Sequence, residues 1–141
     1  MNKIVIIVLV VVLVFVLFMF KNKKSEVRYK EANDPGILEA KIEAQSKIGD
    51  FIKQLNNNKD PNIAFNIKAP FKEDEEVEHM WVLVNSYKEG SFSGTLNNDP
   101  ESVKNIKNGD TVIINESDVE DWIISNGTEM TGGFSIKLFK K

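Results

Sequence analysis

The chain begins with an uninterrupted run of apolar side chains, from Ile4 to Phe20. A helix formed by these seventeen residues would be apolar on every face, which packing against one core does not require. Its length would be about 25 Å, against about 30 Å for the hydrocarbon core of a bilayer, and the flanking Lys3 and Lys21 can reach the two interfaces. The pattern predicts a single transmembrane anchor over residues 1–21, in contact with the lipid bilayer through residues 4–20.

A cleavable signal peptide is the competing interpretation of this run. The run is longer than the usual apolar region of about 7–15 residues, it lacks a small-residue cleavage site, and a basic tetrapeptide, residues 21–24, follows it directly. An uncleaved anchor in the cell membrane is therefore favoured, followed by a charged tether over residues 22–33. The positive charges after the span favour a cytosolic position for the rest of the chain, although short anchors with a basic start also insert the other way.

The pattern after the tether is typical of a helix. Asp34 is suited to the N-cap and Pro35 to the first helical position. Apolar residues then recur at spacings of three and four, which predicts one long amphipathic helix packed on a sheet. The stripe consists of Leu38, Ile42, Ile48, Phe51, Ile52 and Leu55.

From residue 63 onwards, the apolar positions mostly alternate with a period of two, as in strands. Residues 77–84 are apolar on both faces, as in a central strand. A turn is predicted at Glu89-Gly90, and Asn126-Gly127 is the strongest two-residue hairpin signal in the chain. A short helical turn is expected after Asp99-Pro100. The predicted fold of residues 34–141 is therefore α+β, with a twisted antiparallel sheet of about five to six strands. The predicted strands are 63–68, 77–84, 91–96, 111–115, 121–125 and 134–139.

Charge separates the N-terminal part of the chain from the remainder. The chain has 18 basic and 21 acidic residues, of which six basic and one acidic lie in residues 1–30. Residues 31–141 therefore carry 12 basic and 20 acidic groups, a net charge of −8. Such an acidic domain repels a phosphate backbone, so no nucleic-acid partner is expected.

His79 is the single histidine and the first candidate for chemistry. In a strand it would share a face with Trp81, whereas Glu78 would point to the other side. A histidine on an apolar face is more often a hydrogen-bonded structural residue than a catalytic base. The chain has no cysteine, and the acidic run 73–76 lacks the spacing of a calcium loop, so neither a metal site nor a cofactor is expected.

Gly94 within a predicted strand, and Gly132 and Gly133 just before the last predicted strand, need a backbone explanation. Gly94 and the pair Gly132-Gly133 indicate a bulge or the close approach of another group. The adjacent Asp121 and Trp122 place an acid beside a large aromatic residue at the start of a strand.

Three segments in this order resemble the YegJ-like domain family, a bacterial domain of unknown function (number 2314). They are residues 68–84, 92–114 and 118–135, which with the preceding helix make up about three quarters of the chain. The resemblance implies one compact α+β domain, without the anchor and tether, and it implies no reaction. The family pattern includes Glu78, His79, Trp81, Gly94, Asn97, Pro100, Gly109, Asp121, Trp122, Gly132 and Gly133. Of these, the candidates for ligand or surface contacts are Trp81, Asn97, Pro100, Trp122, Gly132 and Gly133. The resemblance also suggests that Glu78 and His79, Asn97, and Asp121 and Trp122 form one surface.

Two classes of function are compatible with these features. The first is a membrane-tethered binding or regulatory module with a protein partner, in one version an immunity-like inhibitor whose acidic surface neutralises a basic toxin. The second is a small hydrolase-like enzyme, with His79 as the base and Asp121 or Glu78 orienting it. A purely structural role in the cell envelope is a third interpretation.

Overall fold

The computed structural model describes residues 33–140. The predicted anchor, and the predicted tether apart from Asn33, lie outside these residues. Within 33–140, neither of the two helices has the length and hydrophobicity needed to cross a bilayer.

Two consecutive helices open the domain, α1 (Pro35–Ser46) and α2 (Ile48–Asn57). The predicted start is confirmed, because the Asp34 side chain caps α1 by accepting a hydrogen bond from the Gly36 N–H at 2.8 Å. The prediction of a single long helix was wrong, since Lys47 (φ −112°, ψ 6°) ends the first helix and precedes the second.

The buried side of α1 also differs from the predicted stripe. Ala40 and Ala44 face the core, while Leu38 and Ile42 are exposed. Small alanines let α1 lie close to the sheet, and the larger Ile48 and Phe51 of α2 are buried as predicted. The break at Lys47 therefore separates two helices that use different kinds of side chain against the same core.

Six antiparallel strands form one sheet, which confirms the predicted α+β fold. The order across the sheet is β4-β3-β2-β1-β5-β6, so β2 and β1 are central. The strands are β1 (Ala64–Glu73), β2 (Glu76–Lys88), β3 (Ser91–Leu96), β4 (Thr111–Asn115), β5 (Asp121–Ser125) and β6 (Met130–Gly132).

The hairpin of β1 and β2 is the longest element of the sheet. Its register runs from Asn66 opposite Leu83 to Glu73 opposite Glu76, and the turn places Asp74 at a φ of +50°. The last residue of β3, Leu96, pairs with Val82 of β2. Residues 76–81 of β2 extend past this point towards the hairpin turn, and on that side they are flanked by the loop after β3 instead of by a strand.

The helices cover one face of the sheet only. Phe51 of α2 packs with ring centroids 5.4–5.7 Å from Phe65, Phe92 and Trp122, which belong to three different strands. The opposite face, here called the open face, carries residues that alternate with this core, among them Lys68, Trp81 and Leu83. The prediction that residues 77–84 belong to a central strand is confirmed by the strand order, although the described helices cover just one face of β2.

Two further local predictions were wrong. Residues 134–139 do not form a strand, because Gly133 turns the chain and Ile136–Phe139 is a 3₁₀ helix. Phe134 is nevertheless buried and Leu138 partly buried, so the apolar pattern reflected burial and not an extended backbone. The segment after Asp99-Pro100 forms bends instead of a helical turn, since side chains from the β1–β2 hairpin bind its backbone N–H groups.

Candidate functional site

Glu78 holds the loop between β3 and β4. Its carboxylate accepts hydrogen bonds from the backbone N–H groups of Glu101, Ser102 and Val103 at 2.9–3.2 Å, and from the Ser102 hydroxyl at 3.3 Å. These bonds, led by that of Glu101, hold the pKa of the Glu78 carboxyl below its ordinary value. The carboxylate is therefore occupied by the loop and does not orient His79.

The same loop is fixed at two further points of the hairpin. Glu73 accepts hydrogen bonds from the backbone N–H groups of Lys104 and Asn105. On the other side, the Asn97 N–H donates to the Trp81 carbonyl at 2.9 Å, and the Trp81 N–H donates to Asn98 Oδ1 at 2.7 Å. The loop thus takes the place of a neighbouring strand beside β2.

His79 pairs with a residue that its sequence position does not indicate. Its Nδ1 lies 2.5 Å from Oε2 of Glu120, which directly precedes β5. The other Glu120 oxygen is 3.6 Å from Nζ of Lys41 on α1. The side chains are 34% exposed for His79 and 18% for Glu120, so the imidazole remains accessible while its partner is mostly covered.

The surroundings of Glu120 favour its charged form. Burial raises the pKa of this carboxyl, but the hydrogen bond from His79, the charge of His79 when its imidazole is protonated, and the positive charges of Lys41 and Lys68 outweigh burial and bring the pKa below its ordinary value. The Glu120 backbone N–H is anchored to the Lys68 carbonyl at 2.8 Å, which fixes where the side chain begins. His79, Glu120 and Lys41 thus form an ordered charged cluster at the edge of β1.

Asp121, the next residue, has a different role. Its side chain is fully buried, and Oδ1 accepts from the backbone N–H groups of Trp122 and Phe134 at 2.8 and 3.0 Å. Its Oδ2 accepts from the N–H and hydroxyl of Ser135 at 2.9 and 2.5 Å. Asp121 therefore ties the C-terminal segment to β5, and its carboxylate is fully engaged there.

Trp122 and the two glycines complete this C-terminal cluster. The Trp122 indole donates to the Ala44 carbonyl at 3.0 Å and packs edge-on against Phe134. A Cβ on Gly132 would lie 2.2 Å from the Trp122 carbonyl oxygen, and both Gly132 and Gly133 have a positive φ. The predicted close approach of another group is confirmed at Gly132, whereas at Gly133 the nearest atom to such a Cβ is in the Met130 side chain at 3.3 Å.

Gly94 meets the same kind of constraint on β3. A Cβ there would lie 2.4 Å from the Leu83 carbonyl oxygen, next to a register shift between Val84 and Ser86. Both predicted explanations, a bulge and a close approach, are thus present at this position. Gly109 has a positive φ in the turn before β4 and open space around it.

The structure therefore distributes the candidate residues over three arrangements. Glu78, Trp81 and Asn97 belong to the contacts that hold the loop 97–105, with Pro100 inside that loop. Asp121, Trp122, Gly132 and Gly133 belong to the C-terminal cluster. His79 pairs with Glu120, which sequence reasoning missed because the contact depends on the register of β5 against β1.

The donor sets in residues 33–140 give no indication of a metal centre. No group of three or more histidine, aspartate or glutamate side chains in this range is arranged to hold an ion. The cluster of His79 and Glu120 supplies one nitrogen and one carboxylate, with a lysine as third member. Its chemistry is that of proton transfer or of charged recognition.

Comparison with known proteins agrees with this domain organisation. A family model described as "Uncharacterized protein conserved in bacteria (DUF2314)" matches residues 34–141. The chain belongs to this family. The predicted resemblance to the YegJ-like family is thereby confirmed, and the helices and sheet described above form the fold of this chain's DUF2314 domain.

Two relatives of the DUF2314 domain show how much sequence is shared. The chain is 32% identical over 107 residues to the uncharacterized protein YegJ of Escherichia coli K12, an alignment that covers 76% of this chain and 66% of YegJ. It is 35% identical over 80 residues to a putative ankyrin repeat protein of Neisseria meningitidis serogroup B, covering 52% of this chain and 31% of that protein. The alignments thus span just under two thirds and about one third of these relatives. No solved structure matches the chain.

Proposed function

We propose that this chain is a membrane-tethered binding module whose open sheet face and acidic hairpin turn engage a basic protein surface. The observation that carries the proposal is the open face. Helices α1 and α2 cover the other face, while the open face presents Trp81, Leu83 and, with 74% of its surface accessible, Ile113. Aromatic and aliphatic side chains displayed together on a rigid sheet are typical of protein interfaces.

The hairpin turn supplies the charge for such an interface. Asp74, Glu75 and Glu76 are exposed at the tip of the β1–β2 hairpin, and Val77 on the adjoining stretch of β2 is exposed on the open face. Apolar contacts and negative charge are therefore carried by the same protruding hairpin. Charge complementarity of this kind steers association with a basic partner and discriminates against acidic ones.

The apolar run of residues 4–20 motivates the membrane part of the proposal. Anchoring would confine the domain to the membrane surface and raise its effective concentration towards partners located there. An immunity-like inhibitor of a basic toxin is one specific form, because neutralising a basic active surface requires an acidic one.

Site-specific photocrosslinking in cells tests this function on the full chain. A photoreactive amino acid is placed at Leu83 or Ile113 on the open face, with Ile42 on α1 as the matched control because it is also apolar and 69% exposed. We expect a discrete protein adduct from Leu83 and Ile113 that is absent from Ile42, and the captured partner should be basic. Equal adducts from both faces, or none from the open face, would contradict the proposal.

Neutralising the hairpin turn adds a second readout. The double substitution Glu75→Gln and Glu76→Gln removes two exposed charges without changing side-chain size. We expect the Leu83 adduct to fall several-fold and the loss to shrink at high salt, because exposed charges act over a screening length of about 10 Å at 0.1 M salt. An unchanged adduct would remove the electrostatic part of the proposal.

The contact between His79 and Glu120 favours one other candidate, a small hydrolase-like enzyme. An accessible imidazole held by a carboxylate at 2.5 Å is the arrangement of a general base, with Glu120 in the role first assigned to Asp121 or Glu78. Hydrolysis of a simple activated ester by the full chain tests it. Activity that disappears in His79→Gln would support the enzyme, and equal rates for both proteins would exclude this use of His79.

A further inference from the structure

A groove runs between α2 and the C-terminal segment, on the side of the domain away from the open face. Its volume is about 570 Å³, within the usual range of about 300–1,000 Å³ for small-ligand sites. Helix α2 forms one wall through Lys53, Gln54 and Asn57, and Thr131 with Lys137 forms the other. Phe134 and the edge of Trp122 line its floor.

Three lysines converge on this groove in a domain that is otherwise strongly acidic. Nζ of Lys47 lies 5.2 Å and Nζ of Lys137 lies 5.0 Å from the centroid of the same Phe134 ring. Lys53 lines the α2 wall. Both ammonium groups therefore lie over the same Phe134 ring, which is an attractive contact for a cation.

Acidic groups only partly neutralise these lysines. Within residues 33–140, Asp50 is the single acidic residue that lines the groove. Glu43 lies outside the lining and forms an ion pair with Lys47 at 2.6 Å, and a side-chain hydrogen bond from Lys47 holds the pKa of the Glu43 carboxyl below its ordinary value. The three lysines together with Asp50 and Glu43 have a net charge of +1. A ligand that displaces Glu43 from Lys47 would meet a net charge of +2.

The floor of the groove is fixed by the C-terminal cluster. Asp121 accepts the Phe134 N–H at 3.0 Å, and the Trp122 indole is hydrogen-bonded to the Ala44 carbonyl. Gly132 approaches Trp122 so closely that no side chain fits there. The aromatic floor of the groove is therefore held by buried hydrogen bonds and does not have to be ordered when a ligand binds, which lowers the entropy cost of binding.

We propose that this groove binds a phosphate group, carried either by a soluble phosphate ester or by an anionic lipid headgroup. A phosphate monoester carries a charge of about −1.5 to −2 at neutral pH, which matches the excess left when Glu43 is displaced. Gln54, Asn57 and Thr131 add amide and hydroxyl groups that can donate to phosphate oxygens. The site is separate from the open face and its proposed partner.

The two tryptophans of the chain make a matched pair of reporters. Trp122 lines the groove, while Trp81 lies on the open face of the sheet. The full chain, labelled with ¹⁵N in phosphatidylcholine bicelles, is titrated with phenyl phosphate at constant ionic strength. We expect the indole N–H signal of Trp122 to shift saturably and that of Trp81 to stay in place. Equal shifts of both signals would overturn the proposal, and absence of a Trp122 shift would exclude the soluble ester.

Charge variants test whether the lysines bind the ligand. Lys53→Gln and Lys137→Gln should each weaken the affinity about fivefold, as expected for a partly exposed ion pair. Glu43→Gln should tighten it about two- to threefold, because Lys47 no longer has a competing carboxylate. Lys88→Gln, at an exposed lysine on the far end of β2, is the control and should leave the affinity unchanged. Equal weakening by Lys88→Gln would show a non-specific charge effect and overturn the site.

A second arm of the titration separates the two sources of phosphate. Phosphatidylglycerol replaces part of the phosphatidylcholine, with no phenyl phosphate added. A Trp122 shift in this arm that Lys137→Gln reduces supports a lipid headgroup, while a shift confined to phenyl phosphate supports a soluble ester. Absence of a Trp122 shift in both arms would refute a phosphate site of either kind.

Discussion

Two carboxylates of this domain do similar work in contrasting surroundings. Asp121 and Glu78 each gather several N–H groups and one hydroxyl from a distant segment, Asp121 from residues 134–135 and Glu78 from residues 101–103. Asp121 is fully buried, whereas the bonds of Glu78 to Glu101 and Ser102 lie at the surface. Only the second carboxylate can exchange its partners for water.

The difference in burial should make the segment held by Asp121 more stable than the loop held by Glu78. A buried carboxylate that loses a partner leaves uncompensated donors and charge behind, which is costly, and a surface one is rehydrated. We therefore expect the C-terminal segment to behave as part of the core. The loop 97–105 should open more easily, which suits a segment that borders the proposed binding face.

The largest effect should come from Asp121→Asn. Each Asp121 oxygen accepts two hydrogen bonds, so the NH₂ group of an asparagine would face two donors and could accept from neither. We therefore expect a loss of about 3 kcal/mol or more in the free energy of unfolding. Urea unfolding followed by tryptophan fluorescence measures it. Ser135→Ala, which removes one donor and leaves the carboxylate in place, should cost about 1 kcal/mol. Comparable losses for both variants would show that Asp121 is not the organising group.

A smaller effect is expected from Glu78→Ala. Because its hydrogen bonds lie near water, we expect a loss of about 1 kcal/mol. Hydrogen exchange of the Glu101, Ser102 and Val103 amides should accelerate at least about tenfold, which corresponds to about 1.4 kcal/mol of local opening. Glu78→Gln keeps one acceptor oxygen and should retain part of the protection. Unchanged protection in Glu78→Ala would mean that the loop holds its shape without the carboxylate.

The comparison also shows what the sequence could and could not predict. Alternating apolar positions located the strand around Phe65, since burial of one sheet face imposes a period of two. Residues that are apolar on both faces located the central strand around Met80, and the turn at Gly90 located the strand around Phe92. The same pattern at Phe134, Ile136 and Leu138 was misleading, because Phe134 is buried just before a 3₁₀ helix, Ile136–Phe139, in which Leu138 is partly buried. Periodicity reports burial directly and backbone conformation only indirectly.

The candidate site was less accessible to prediction than the fold. The position of Glu78 on the face opposite His79 followed from strand geometry. Its role in holding the loop did not, because the loop 97–105 carries no pattern that fixes where it runs. Glu120 was missed for a related reason. Its contact with His79 requires β5 to pair with β1 in one register, with Asp121 opposite Lys68, and no local signal specifies that register.

Glu120 is less buried than Asp121 and more buried than Glu78. The pH dependence of its contribution to stability extends the comparison. Its pKa in the folded chain is lower than the ordinary value of 4.5, so its contribution to stability is present above pH 4.5 and is lost as the pH falls through the folded-state pKa. At pH 7, Glu120→Gln should therefore cost about 1 kcal/mol, a value reduced for partial exposure of the pair, and the difference from the unmodified chain should shrink towards pH 3.

Unfolding measured across this pH range checks the sign, and His79→Gln checks the cause. In the His79→Gln background the same Glu120 substitution should cost less, because the imidazole is its closest partner at 2.5 Å. A loss that stays constant down to pH 3, or that is the same with and without His79, would assign the effect to packing. In that case the cluster of His79, Glu120 and Lys41 would have a structural role, like Asp121, and its charges would not be available to a partner or a substrate.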